Sequence, residues 1–299
     1  MNALNVAVVG VGSFGRHHVR HLSRHARVGS VTVVDRNGER ARACAATHGA
    51  RVAEDVASVS PDAAVITVET EAHRAVAESL IARGVHVFVE KPIAASDIDA
   101  FALVAAAERA GVVLQVGHVE RFAPAFVAIA ERAQGIRSIK AVRHNPPRPT
   151  PPTADVVVDL MIHDIDLALA LAAAPVTAVT AGTTDGGEAA TARLDFANGV
   201  VARLSASRRA VATERALTIE DAGGAWHADL LTGRLTRTTP GGTEDHLLPS
   251  RDNLAAELDE FVCAALGEAR PTVDGRAGAA ALAVATRVRA ALSMYPLSA

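Results

Sequence analysis

Only two cysteines occur in the 299 residues, Cys44 and Cys263, far apart and without a paired spacing. That excludes a disulfide framework and a structural zinc site, and it suits a reducing compartment, so a cytoplasmic protein is expected. An excess of basic charge is also missing. The formal net charge is -3, which makes nucleic acid an unexpected partner. Long apolar runs are absent too, because Arg, Glu or Asp interrupts each one well short of a membrane span, so no membrane is expected. Met1 to Asn5 shows no basic segment leading into an apolar run, so no signal peptide is expected. Internal repeats are lacking. What is present is a chain with 49% hydrophobic residues, dominated by Ala and Val and long enough for two domains with separate cores.

The first part alternates strand and helix. Short continuous apolar runs at 6–9, 31–34, 63–68, 85–89 and 112–116 read as buried strands. Helices are predicted over 14–24, 39–47, 73–82 and 97–110, the last capped by Ser96. Apolar strands alternating with helices predict a doubly wound parallel sheet covered on both faces. Near 117–124 that rhythm stops. Pro146, Pro147, Pro149, Pro151 and Pro152 predict a stiff loop. After a predicted helix over 157–172 come alternating runs at 191–196 and 201–206, joined by Asn198-Gly199, the strongest short-range hairpin signal. Further strands are predicted at 216–220, 225–230 and 234–238, then helices over 253–266 and 278–292. The expected division is a Rossmann domain over 1–119 and an α+β domain over 120–299.

Gly10-Val11-Gly12-Ser13-Phe14-Gly15 follows a strand, opens a helix, and precedes an acid, Asp35, by 20 residues counted from Gly15. Gly10 permits the tight turn and Gly12 lets backbone approach a pyrophosphate. Gly15 lets helix and strand pack closely, with the helix N-terminus toward the anion. Asp35 is expected to accept hydrogen bonds from the adenosine ribose and to repel a 2′-phosphate, which favours NAD over NADP. Arg36 could stack on adenine or hold that phosphate instead. His17, His21 and His25 share a helix face and could in principle hold a metal. Arg16, Arg20 and Arg24 beside them point instead to a solvated polar face without one.

Strand ends of a doubly wound sheet face the ligand crevice, which places Glu90-Lys91-Pro92 there. Asp159 and His163, four apart on a predicted helix, share a face, and His163 can serve as a base near neutral pH with Asp159 orienting it. Together the glycine loop, Glu90-Lys91-Pro92, Gly117-His118 and the Asp159/His163 pair resemble the Gfo/Idh/MocA family of sugar and polyol oxidoreductases over nearly the whole chain. The stretches 117–122 and 159–166 are similar to a bacterial branch that oxidises the 3-hydroxyl of UDP-N-acetylglucosamine with NAD. The resemblance implies an open, mostly antiparallel sheet in the second domain, a cis peptide before Pro92 and a homodimer or homotetramer assembled through that sheet. It also extends the expected cofactor contacts to Ser13, Phe14, Thr70, His73, Glu90 and Lys91. Val68-Glu69-Thr70 stands where the family commonly has a proline, and Ala123 stands where that branch has an asparagine.

The expected reaction is hydride transfer from a ring carbon to the nicotinamide. His163 would remove the hydroxyl proton, Lys91 would hydrogen-bond the developing alkoxide, and Asp159 would orient the pair. Substrate contacts are expected from Lys91, His118, Arg121, Arg148, Asp159 and His163, with Arg143, Arg208 and Arg209 as further candidates for a diphosphate. Three other readings stay open: a free polyol or sugar as substrate, a non-catalytic sensor of NAD and sugar, and metal-dependent dehydrogenation through His163 and Asp159.

Overall fold

The computed structural model describes residues 3–149 and 153–294. Pro151 and Pro152 lie outside the described residues, while Pro146, Pro147 and Pro149 occupy a stretch with neither helix nor strand. The chain forms two compact units, Met1–Val119 with Asp252–Ala279, and Glu120–Arg251 with Ala280–Ala299. This corrects the expected single block over 120–299. Helix α7 (Asn253–Ala265) contributes Leu258, Phe261 and Val262 to the core of the first unit. Those apolar residues at helical spacing fill a surface that the first 119 residues leave uncovered.

The first unit carries six parallel strands: β1 (Leu4–Val9), β2 (Val28–Val34), β3 (Arg51–Ala53), β4 (Ala63–Ile66), β5 (His86–Glu90) and β6 (Leu114–Gly117). Their spatial order is β3-β2-β1-β4-β5-β6. The order reverses between β1 and β4, which is where such sheets open a ligand crevice at their carboxyl ends. Helices α1 (Gly15–Leu22), α2 (Gly38–His48), α3 (Thr70–Ile81) and α4 (Asp97–Ala110) follow β1, β2, β4 and β5. Local chemistry sets their ends. Ser96 accepts from the Asp99 N–H at 3.1 Å and Asn37 from the Arg40 N–H at 3.0 Å, each cap worth about 1 kcal/mol. Strand β3 escaped prediction because Arg51-Val52-Ala53 is short and largely exposed at the sheet edge.

The second unit holds eight strands: β7 (Ser138–His144), β8 (Val176–Thr184), β9 (Ala189–Phe196), β10 (Val201–Ser207), β11 (Glu214–Asp221), β12 (Gly224–Asp229), β13 (Arg234–Thr239) and β14 (Gly242–His246). They run in the order β14-β13-β12-β11-β7-β10-β9-β8. The sheet is open, and every neighbouring pair is antiparallel except β7 with β10. The hairpin at Asn198-Gly199 joins β9 to β10, with Gly199 at φ +85° and its N–H on the Phe196 carbonyl. Alternation then buries Ala190, Ala192, Leu194 and Phe196 on the same face as Ala202, Leu204 and Ala206. Helix α5 (Pro124–Arg132) precedes β7, and α6 (Ile162–Ala172) follows a π-helical turn at Val157–Met161. The unit boundary falls inside α8 (Gly275–Met294). Among the described residues, no helix is long and apolar enough to cross a membrane, and both cysteines are free thiols.

Candidate active site

At the carboxyl ends of β1, β2 and β4 lies a cleft of about 400 Å³, lined by Gly10, Gly12, Asp35, Arg36, Arg40, Thr67 and Glu69 among others. Gly10 has φ +89°, and a Cβ there would meet the Thr67 carbonyl oxygen at 2.8 Å. A Cβ on Gly15 would lie 2.0 Å from the Gly10 oxygen, whereas one on Gly12 would meet nothing within 4 Å. Gly12 therefore faces open space in front of the α1 N-terminus, as a dinucleotide pyrophosphate requires, and the cleft fits that group. Two variants separate these roles. Gly15→Ala is expected to lose on the order of 3 kcal/mol of stability. Gly12→Ala should melt like the wild type yet bind NADH on the order of 10-fold more weakly, checked by thermal melting and fluorescence titration.

Asp35 ends β2 with a side chain only 2% exposed. Its two oxygens accept from the Val11 N–H (2.7 Å), the Asn37 N–H (2.8 Å), and Arg40 Nε and Nη2 (3.1 and 2.8 Å). Burial pushes its carboxyl up, but these donors outweigh burial and hold it below the ordinary carboxylate value. All four acceptor positions are filled, so Asp35 first of all pins the glycine loop through Val11. Arg40, half exposed, is the partner a ribose diol would have to displace. Sequence reasoning missed Arg40, although its place in the first turn of α2 brings it back over the end of β2. Arg36 pairs with Glu69 at 2.8 Å, both mostly exposed. Glu69 thus meets a cation rather than standing alone beside the cleft.

Around Lys91 the backbone is held from several sides. Lys91-Pro92 is a cis peptide. His73 turns Nδ1 to the Pro92 carbonyl at 2.9 Å and Nε2 to the Val68 carbonyl at 3.0 Å. The neutral ring has one N–H to donate to these two carbonyls, and it packs the Lys91-Pro92 turn against the loop after β4. Burial pushes its imidazole below the ordinary histidine value against the pull of the two carbonyls. Thr70 opens α3, His118 is buried directly after β6, and Ser13 and Phe14 are exposed in the glycine loop. Arg16 and Arg24 are exposed and His17, Arg20, His21 and His25 are partly so, with His21 and His25 lying 3.4 and 3.1 Å from Asp252 and Asp259 at α7. His18, on the inward face of α1, is wholly buried.

In the second unit, Asp159 sits in the π turn and His163 in the first turn of α6. The predicted uninterrupted α-helix is therefore corrected. Such π turns recur at functional sites, where they re-aim a side chain. Arg208, at the end of β10, approaches Asp159 Oδ2 to 3.6 Å while donating to the Ala154 carbonyl and to Glu188. Arg143 is 2% exposed and makes a forked pair with Asp164 at 2.8–3.1 Å, plus a bond to Glu120 at 2.6 Å. Burial works against its charge, but Asp164 and Glu120 hold it above its ordinary value. Arg121 makes a second fork, to Asp166, at 2.6 and 2.9 Å. Breaking such a buried pair from one side costs about 3–5 kcal/mol. Arg121 and Arg143 therefore brace α6 through Asp166 and Asp164. Arg148 and Arg209 are exposed.

Residues 4–118 match the family described as oxidoreductase family, NAD-binding Rossmann fold, and residues 136–224 match the GFO/IDH/MocA C-terminal domain. The chain belongs to the GFO/IDH/MocA oxidoreductase family. Within it, the chain is 35% identical to UDP-N-acetylglucosamine 3-dehydrogenase of Acidithiobacillus ferrooxidans, over 98% of each sequence. The solved structure of the enzyme of that name from that organism superposes with a TM-score of 0.94 at 33% identity, covering 99% of both chains. A Streptomyces leeuwenhoekii myo-inositol dehydrogenase, Hyg17, is 35% identical over 55% of this chain and 54% of its own. As a GFO/IDH/MocA oxidoreductase, the chain joins an NAD-binding Rossmann unit to the second domain typical of the family.

Proposed function

We propose that this chain oxidises the 3-hydroxyl of a UDP-N-acetylhexosamine with NAD, in the cytoplasm and as a homodimer or homotetramer assembled through the open sheet. The observation that carries the reading is the full-length likeness to UDP-N-acetylglucosamine 3-dehydrogenase, joined to the presence of Lys91, Asp159 and His163. When bound, the nicotinamide supplies a hydride acceptor. His163 accepts the hydroxyl proton as general base, and Asp159 orients it. Lys91 donates a hydrogen bond to the oxygen as negative charge develops there. The backbone N–H groups at the start of α1 hold the pyrophosphate.

Incubating the protein with NAD and a panel of nucleotide sugars, free sugars and inositols tests this reading. Reduced nicotinamide is expected with UDP-N-acetylglucosamine, and formation only with free polyols overturns the substrate. That second reading has its own support in the inositol dehydrogenase relative and in the commitment of Arg121 and Arg143 to carboxylates. Exposed Arg148 and Arg209 remain for a diphosphate, so UDP is expected to inhibit competitively; a free-polyol enzyme would ignore it.

Selection of NAD over NADP rests on the Asp35 carboxylate, with Arg40 swinging aside for the ribose. Asp35→Ala should reduce the NAD:NADP ratio of kcat/KM on the order of 10-fold. An unchanged ratio would show that Asp35 serves the glycine loop alone.

A further inference from the structure

His18 lies on the inward face of α1, in step with Gly15, Val19 and Leu22, and is wholly buried. Its Nε2 is 2.8 Å from Glu90 Oε1. A carboxylate can only accept, so Nε2 carries the proton. The ring meets Phe88 edge-on at 5.4 Å, and Phe88 meets Phe261 in the same way at 5.7 Å, which fixes the imidazole's orientation. Nδ1 has no hydrogen-bond partner among the described residues, a cost that an aliphatic side chain in this apolar setting would not carry. The return on that cost is the single bond to Glu90. Glu90 in turn accepts the Lys91 backbone N–H through Oε2 at 3.2 Å. Gly117 on β6 leaves the space the carboxylate needs, since a Cβ there would come within 2.8 Å of Oε2.

We propose that His18 is a positioning residue for Lys91, locking the Glu90 carboxylate so that the turn carrying the lysine amine is fixed. The proposal rests on Lys91 as the donor to the reacting oxygen. It also ties the helix that opens the nucleotide site to the strand end that carries the chemistry, with both elements inside the first unit.

The chain has only two lysines, Lys91 and Lys140. Lys140 lies on β7 in the second unit, outside the unit that holds the His18–Glu90 link and in the same setting in wild type and variants, and serves as an internal reference. Trace acetylation with acetic anhydride, read by mass spectrometry, therefore reports Lys91 directly and needs neither cofactor nor substrate. His18→Leu should acetylate Lys91 several-fold faster relative to Lys140. His18→Gln, which can present an N–H where Nε2 stood, should restore the wild-type ratio. In turnover, His18→Leu should lower kcat on the order of 10-fold, the usual worth of a hydrogen bond to a charged group, with KM for both substrates and NADH affinity within about 2-fold.

Glu90→Ala cuts the same link from the other side and should raise Lys91 acetylation equally; it carries the test if His18→Leu does not fold. Wild-type Lys91 labelling in a folded His18→Leu or Glu90→Ala protein overturns the proposal. So does a His18→Gln protein no better than His18→Leu. Failure of the wild type to oxidise any sugar would count against the proposed function and leave the labelling comparison intact.

Discussion

Lys91→Ala lowers turnover on the order of 100-fold or more, while NADH binds within about 2-fold of the wild type. The size follows from the role. A donor placed on a developing alkoxide stabilises the transition state by roughly 3–4 kcal/mol and contributes little to ground-state binding. The loss should therefore fall on kcat, with KM nearly unchanged. Lys91→Arg should not rescue, because a planar guanidinium cannot replace a compact ammonium at the end of a shorter stem. The fold should tolerate both changes. Lys91 is only half-buried at the end of β5, and the turn around it is held by the His73 bond to Pro92 and the His18 bond to Glu90. A Lys91→Ala protein that turns over normally would remove the lysine from the reaction.

His163→Asn is the second large effect, a fall in kcat on the order of 100- to 10,000-fold. Asparagine keeps approximate size and hydrogen bonding but cannot take a proton at neutral pH. Helix α6 should stay in place, since the Arg143–Asp164 and Arg121–Asp166 forks brace the residues that follow. The melting temperature should therefore move by no more than a few degrees, as a substitution away from those pairs predicts. The smaller variant His163→Gly should regain part of its rate with added imidazole. Retention of more than half the wild-type rate by His163→Asn would assign the base elsewhere.

Local chemistry was the legible part. The strand–glycine-loop–helix at Gly10 to Gly15, the Ser96 cap and the Asn198-Gly199 hairpin each depend on residues close in sequence, and each formed where composition pointed. Two features that escaped prediction depend on distant partners. Strand β7 pairs in parallel with β10 and antiparallel with β11, and nothing within Ser138–His144 records either neighbour. The return of Asp252–Ala279 to the first unit rests on Leu258, Phe261 and Val262 joining its core, where Phe261 meets Phe88 of β5 edge-on at 5.7 Å.

The same limit applied to charged residues. Arg121 and Arg143 look alike as diphosphate ligands in sequence, and only the fold reveals that Asp166 and Asp164 occupy them. His18 is the instructive intermediate case. Its spacing from Gly15, Val19 and Leu22 marks the inward face of α1, yet three other histidines and three arginines on the same stretch masked that signal.

The most direct measurement uses UDP-N-acetylglucosamine carrying deuterium at carbon 3, incubated with the protein and NAD, followed by mass analysis of the reduced cofactor. The account predicts that the deuterium appears in the reduced nicotinamide and that single-turnover reduction is slower than with the unlabelled sugar. Reduced cofactor free of deuterium, or none formed with any nucleotide sugar, would contradict it.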